Sequence, residues 1–207
     1  SCLDTLHEFE PILKNDDLDN PDIARNVSPA VMSYHGIQYQ SMAPEVMDSA
    51  QLAWLQSHLW ILSGLYGCVR PFHAVEPYRL EMGAKLAVDD VCDLYAFWGD
   101  KLARTIVPTG SNTTIVNLAS VEYAKAVLPC LTTDATVVTC LFGEGVRNGK
   151  PIQRSTASKK ARGSMVRWMA ENKLEDASEL TAFNIGYRHI PELSDKNTLV
   201  FMNAQAL

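Results

Sequence analysis

The sequence predicts a mixed α/β fold: a mixed sheet with one hairpin, covered by helices. Three observations carry this. Segments with helical apolar spacing alternate with short, β-branched apolar runs. One pair of those runs is joined by a glycine-rich turn, which reads as a hairpin and fits a mixed sheet better than a purely parallel one. Of the 207 residues, 47% are apolar and 20% charged, enough for a sizeable core. The length fits one domain spanning 1–207.

Residues 14–29 are polar and acidic and read as a surface loop with short helical turns. Asp48-Ser49-Ala50-Gln51 has the pattern of a capping box. The run from Leu52 to Leu65 then reads as a buried helix, with Leu52, Leu55, Leu59 and Leu62 on one face and Gly64 as its stop. His58 inside it reads as a hydrogen-bonded core residue. A second helix is expected over 91–104. The turn Thr109-Gly110-Ser111-Asn112 leads to a buried strand, 114–118, and a short helix over 121–127 should end at Pro129. Thr136 to Phe142 is strongly β-branched. Gly145 to Gly149 supplies turn residues, so Pro151 to Thr156 returns as the hairpin partner. Ser158 is placed to cap a helix running from Lys159 to Asn172, and 198–202 is the last strand.

Composition narrows the function. No apolar run approaches the roughly 20 residues that span a bilayer, so no membrane partner is expected. The opening Ser1-Cys2-Leu3-Asp4 lacks the basic start and apolar core of a secretory signal. The five cysteines are odd in number and form no C-x-x-C pair, which speaks for reduced thiols and a cytoplasmic location. A peroxide-sensing thiol and a merely packed one both remain open. His7, His35, His58, His73 and His189 form no HxH or HxxxH pair, so no metal site is expected. A P-loop and a GxGxxG fingerprint are both missing, and Leu-Ala-Ser120-Val-Glu is not a nucleophile elbow. No cofactor is expected. Charge is uneven: Gly145 to Lys173 holds eight basic residues against the single acid Glu171, in a chain of net charge −6. Such a segment suits a local anionic partner.

Four short segments concentrate polar, aromatic and glycine residues: Ser63-Gly64-Leu65-Tyr66-Gly67 with Arg70-Pro71; Glu76-Pro77-Tyr78-Arg79-Leu80-Glu81-Met82-Gly83; Asn117-Leu118-Ala119-Ser120-Val121-Glu122-Tyr123; and Lys159-Lys160-Ala161-Arg162-Gly163. Together with Phe97-Trp98-Gly99-Asp100 and Leu180-Thr181-Ala182-Phe183-Asn184, they resemble the core motifs of the peroxide stress protein YaaA family, in continuous order over residues 30–202. The family's usual opening strand with Ser-Pro-Ala-Lys is missing from this sequence. The resemblance implies a YaaA-like fold, a stress-response role in limiting peroxide and iron-driven damage to DNA, and a helix-hairpin-helix element. The family pattern has glycine where this chain has Ala182, a departure at the expected phosphate contact.

Two chemistries follow from the residues. Lys159, Lys160, Arg162, Arg167 and Lys173 on or beside the basic helix suit duplex DNA, through cationic side chains and free N–H groups at a helix start. The same helix also reads as simply amphipathic, with Ala161, Met165, Trp168 and Met169 inward. Alternatively, Arg79, Glu81, Ser120 and Glu122 are candidate catalytic groups of an enzyme acting on a small anionic or nucleobase-like substrate, in a pocket with Tyr66, Tyr78, Asn117 and Tyr123. The same groups also read as a buried polar network tying the motifs together without turnover, and a protein-interaction module with no pocket is the third reading. Tyr78, Arg79, Glu81, Asn117, Ser120, Glu122, Lys160 and Arg162 are expected to line one cleft.

Overall fold

A computed structural model describes residues 27–87 and 90–205. His7, Cys2, the loop expected before residue 27 and any opening strand lie outside the described residues. In chain order the elements are β1 (Ser28–Pro29), α1 (Ala30–Ser33), α2 (Ile37–Met42), α3 (Ser49–His58), β2 (Ile61–Ser63), β3 (Gly67–Val69) and β4 (Ala74–Val75). Then come α4 (Leu94–Trp98), α5 (Lys101–Ile106), β5 (Thr113–Asn117), α6 (Val121–Ala124), β6 (Ala135–Gly143), β7 (Val146–Arg147) and β8 (Lys150–Pro151). The long helix α7 (Ser155–Asn172), β9 (Tyr187–His189) and β10 (Thr198–Asn203) complete the described chain, with short 3-10 turns between. The fold is mixed α/β, and no helix of the described residues is long and apolar enough to cross a membrane.

The chain divides into two compact units. The first holds residues 27–34, Ala53–Ser111 and Ala119–Asp134. Its core gathers Met82, Leu94, Leu102, Ala103, Ala126 and Val127, with Leu62, Tyr95, Trp98 and Tyr123 packed against them. The hairpin β2–β3 pairs Ile61 with Val69 and Ser63 with Gly67. The expected helix through Leu65 therefore ends early, at His58. The apolar run continues, but Ile61-Leu62-Ser63 turns back through residues 64–66, and Gly67 takes φ +76, a left-handed conformation open to glycine. A side chain at Gly67 would also meet Trp98 and Leu102 at 2.8 Å. His58 is exposed rather than in the core, stacked on Trp54 at 4.4 Å with Nδ1 2.9 Å from the Trp54 carbonyl. The helix expected over 91–104 is two helices, because Gly99 at φ +52 breaks it between Trp98 and Lys101.

The second unit holds His35–Leu52, Asn112–Leu118 and residues 135–205. Its sheet has the order β5-β6-β10-β9, parallel across β5, β6 and β10, with β9 antiparallel at one edge. Phe142 on β6 lies beside Phe201 on β10 in register and stacks on it at 5.5 Å. Phe183 and Tyr187 meet the Phe142 ring edge-on at 6.2 and 5.4 Å, and Trp168 of α7 reaches Phe183 at 5.7 Å. Edge-to-face rings of this kind add to the simple burial of their area. The capping box forms as read: the Gln51 N–H donates to Asp48 Oδ1 at 2.8 Å, and the Asp48 N–H donates to Gln51 Oε1 at 3.1 Å.

Helix α7 starts at Ser155, a turn before the expected cap. Arg154 is extended there at φ −101, ψ 130 and is the N-cap. Ser158 is instead inside the helix, 3% exposed, and donates from Oγ to the Phe142 carbonyl at 3.3 Å. The hairpin expected after β6 is the short pair β7–β8, and its return strand ends at Pro151 rather than Thr156.

Candidate functional site

Three of the four motif segments contribute residues that meet within the first unit. The buried Ser63, at the end of β2, accepts the N–H groups of Leu65 and Tyr66 at 3.2 and 2.9 Å on Oγ. That oxygen also shares a short hydrogen bond with the Tyr78 hydroxyl, which lies 3.0 Å from the Tyr34 hydroxyl. Tyr66 meets Tyr78 edge-on at 5.5 Å, and its hydroxyl accepts the Glu76 N–H at 3.0 Å. Gly64 lets the second motif approach: a Cβ there would stand 2.6 Å from the Leu80 carbonyl oxygen. Trp98 Nε1 donates to the Gly64 carbonyl at 3.0 Å, bringing the Phe97-Trp98 motif to the same turn.

The third segment joins through its helix. Ser120 is the N-cap of α6, its side chain accepting from the Tyr123 N–H at 3.5 Å. Glu122 on that helix accepts the Gly83 N–H at 2.7 Å on Oε1. A side chain at Gly83 would press to 3.1 Å of that oxygen. Burial pushes the Tyr123 phenol above its usual range, nearby Tyr78, Glu122 and Glu81 push it further, and a backbone hydrogen bond from Met82 pulls the other way. The phenol therefore stays protonated at neutral pH. Arg79 and Glu81 are exposed.

Tyr66, Tyr78, Ser120, Glu122 and Tyr123 thus share the first unit, as do Arg79 and Glu81. Asn117, Lys159, Lys160, Arg162, Arg167 and Lys173 belong to the second. There Asn117 Nδ2 donates to Thr139 Oγ1 across β5–β6 at 3.3 Å. On α7 the expected cations differ. Lys159 and Lys160 are exposed in the first two turns. Arg162 has its Nε buried without a hydrogen-bond partner, and burial lowers its pKa from the usual arginine range. Arg167 is held by Glu171 at 2.7 Å, and Arg154 by Glu144 at 3.0 Å. Lys173 is exposed beyond the far end of α7 at φ +50. With a rise of about 1.5 Å per residue it stands about 20 Å from Lys159 along the axis.

Tyr34 and Ser63 were not among the expected site residues. Ser63 was visible as the polar residue before Gly64. Tyr34 meets Tyr78 through a contact 44 positions along the chain, which no local pattern announces. Among the described residues, no group of His, Cys, Asp and Glu side chains is arranged to hold a metal ion.

Taken by class, this is an α/β protein whose motif loops are tied by a hydroxyl and carboxylate network, and whose second unit carries a basic helix. A family model described as peroxide stress protein YaaA matches residues 5–193. The chain is 45% identical over 202 residues to a UPF0246 protein of Pediococcus pentosaceus, covering 97% of this chain and 78% of that one. It is 45% identical over 186 residues to a UPF0246 protein of Desulfitobacterium hafniense, covering 89% and 73%, and 44% identical over 187 residues to one from Lachnoclostridium phytofermentans, covering 89% and 72%. The chain belongs to the YaaA/UPF0246 family of stress-response proteins.

Proposed function

We propose that the chain binds duplex DNA through the first turns of α7, and that it limits peroxide and iron-driven damage by occupying the DNA rather than by capturing metal. One observation carries the reading. Lys159 and Lys160 stand exposed near the start of an 18-residue helix whose N-terminus has no side-chain cap and no acid in its first turn. Free N–H groups and the positive end of the helix dipole favour phosphate there, and the lysines add charge. The order of elements after α7 also suits a helix-hairpin-helix-like segment: Lys173 closes the helix in a left-handed conformation, and a 3-10 turn follows over Ala177–Ala182, capped by Asp176. Arg162, Arg167 and Lys173 are the further contacts in this reading. Arg167 contributes least, since Glu171 already holds it.

The test is fluorescence anisotropy of a labelled duplex across a salt titration. Lys159→Ala with Lys160→Ala lowers the salt slope by about 2 if both lysines touch phosphate. Arg167→Ala changes it less. An unchanged affinity and slope in the double variant would remove the helix from the interface.

A second reading rests on the first unit, where Tyr66, Tyr78, Tyr123, Ser63 and Glu122 gather polar groups from three segments. In it, this cluster with Arg79 and Glu81 takes a small anionic or nucleobase-like ligand, and Glu122 or Glu81 moves the proton. Stabilisation of the native chain, but not of Glu122→Gln, by nucleobases or nucleotides in a thermal-shift assay would support it.

A further inference from the structure

We infer that the β7–β8 hairpin is itself a nucleic-acid-contacting element, a basic two-stranded ribbon that enters the major groove of a duplex while α7 holds the adjoining backbone. This rests on the DNA-binding reading of α7 and deepens it.

The sequence between Gly145 and Lys160 contains Arg147, Lys150, Arg154, Lys159 and Lys160 and no acidic residue. The structure gives its first half a definite shape. Arg147 and Lys150 are cross-strand partners, so their side chains leave the same face of the ribbon. Both are exposed, and neither is in an ion pair among the described residues. The two residues joining them, Asn148 and Gly149, take φ +53 and +73, the left-handed pair of a tight hairpin turn whose twist matches its strands. Beyond the ladder, the Glu144 N–H donates to the Ile152 carbonyl at 2.9 Å and the Ile152 N–H to the Gly145 carbonyl at 2.7 Å, extending the pairing to the end of β6. Pro151 abuts Gly143, where an added Cβ would stand 2.8 Å from the proline Cβ. The ion pair of Arg154 with Glu144 closes the base of the hairpin beside the first residue of α7. Like charges directly opposite each other repel. Arg147 and Lys150 are held in that position at the tip of a short, anchored turn, so the backbone that presents their charge has little conformational entropy left to lose.

The ribbon also exposes carbon. Val146 is 51% and Ile152 41% exposed, each among basic residues. Cations bracketing exposed aliphatic groups complement a surface whose apolar base edges lie between rows of phosphate. Two strands about 4.8 Å apart fit a major groove about 12 Å wide, with Arg147 and Lys150 reaching its walls and Ile152, two residues on from Lys150 and so on the same face, available to a thymine methyl, while Val146, opposite Pro151, leaves the other face. An anionic membrane presents charge and carbon too, and serves as the rival in the test.

The experiment measures affinity of the full chain for a labelled duplex over a salt titration. The variants are Arg147→Ala with Lys150→Ala, Val146→Ser with Ile152→Ser, and Lys159→Ala with Lys160→Ala. All six side chains are exposed, and circular dichroism checks that each variant keeps its fold. The basic hairpin variant should lower the salt slope by about 2. The aliphatic variant should weaken binding roughly fivefold while leaving the slope unchanged, because it removes no phosphate contact. If only the lysine variant of α7 alters binding, the hairpin proposal falls and the helix reading stands. If the native chain binds no duplex even at low salt, both fall together. Binding of phosphatidylserine vesicles that needs Arg147 and Lys150, without duplex binding, also overturns the proposal.

Discussion

Ser63 shows how much one buried hydroxyl can organise. It is fully buried, and it satisfies two backbone N–H groups of its own turn together with the Tyr78 hydroxyl. Ser63→Ala removes the acceptor while leaving its partners buried, which should cost roughly 1–3 kcal/mol, whereas Tyr78→Phe, which leaves the turn satisfied, should cost about 1. Chemical denaturation of the two variants measures the difference, and equal small losses would show that the turn does not depend on Ser63. The thiols speak to peroxide chemistry at the same scale. Burial pushes the Cys68 thiol up to about 11, against opposition from Arg70 and Thr105, and pushes Cys140 up to about 12. Since thiolate is the reactive form, iodoacetamide at neutral pH should label the exposed Cys92 ahead of the other thiols of the described residues and spare Cys140 until the chain unfolds. The sign of the pH effect follows. The folded state favours protonated Cys140, so its contribution is intact below the ordinary thiol pKa of 9.0 and is lost as pH rises toward about 12. That loss amounts to at most about 1.4 kcal/mol per pH unit. Stability that is flat across this alkaline window would contradict the burial of Cys140.

At the scale of elements, Gly163 fixes how α2 meets α7. A Cβ at this position would lie 1.9 Å from the Gln38 carbonyl oxygen and 3.0 Å from the Met42 amide nitrogen, both backbone atoms that cannot swing aside. Gly163→Ala should therefore destabilise by about 3 kcal/mol or more despite its better helix propensity. A thermal melt reads this, and a raised melting temperature would mean the two helices do not pack so closely. Local signals made some elements legible in the sequence. Asp48 and Gln51 name a capping box at the spacing its reciprocal bonds require. Asn148-Gly149 marks a tight turn because both positions need positive φ. Other boundaries depended on contacts distant in sequence. Leu59 to Ser63 carries the same apolar pattern as the helix before it, and what makes Ile61–Ser63 a strand is pairing with Gly67–Val69. Ser155 and Ser158 are both plausible caps by type, and the Phe142 carbonyl draws the second one into the helix interior. The network around Tyr78 was partly visible as a concentration of polar residues. The bonds from Tyr78 to Ser63 and Tyr34 span 15 and 44 positions and that from Glu122 to Gly83 spans 39, so only tertiary structure assigns these partners.

Across the whole molecule, charge and chemistry are divided. The first unit holds the tyrosines, Ser63 and Glu122, with Gly64, Gly67 and Gly83 at the close approaches of its motif segments. The second holds the basic segment, and within it the structure sorts the cations by availability. Arg154 and Arg167 are paired and Arg162 is partly buried, which leaves Lys159, Lys160 and the hairpin's Arg147 and Lys150 exposed near the start of α7. A chain of net charge −6 binds duplex DNA only if this local field overcomes the overall repulsion. The most direct measurement is the salt dependence of native-chain affinity for a labelled duplex. Four phosphate contacts by these residues alone predict a slope of log K against log salt of about −3.6, and further contacts by Arg162, Arg167 or Lys173 would steepen it, whereas a flat dependence, or no binding at low salt, would contradict the account.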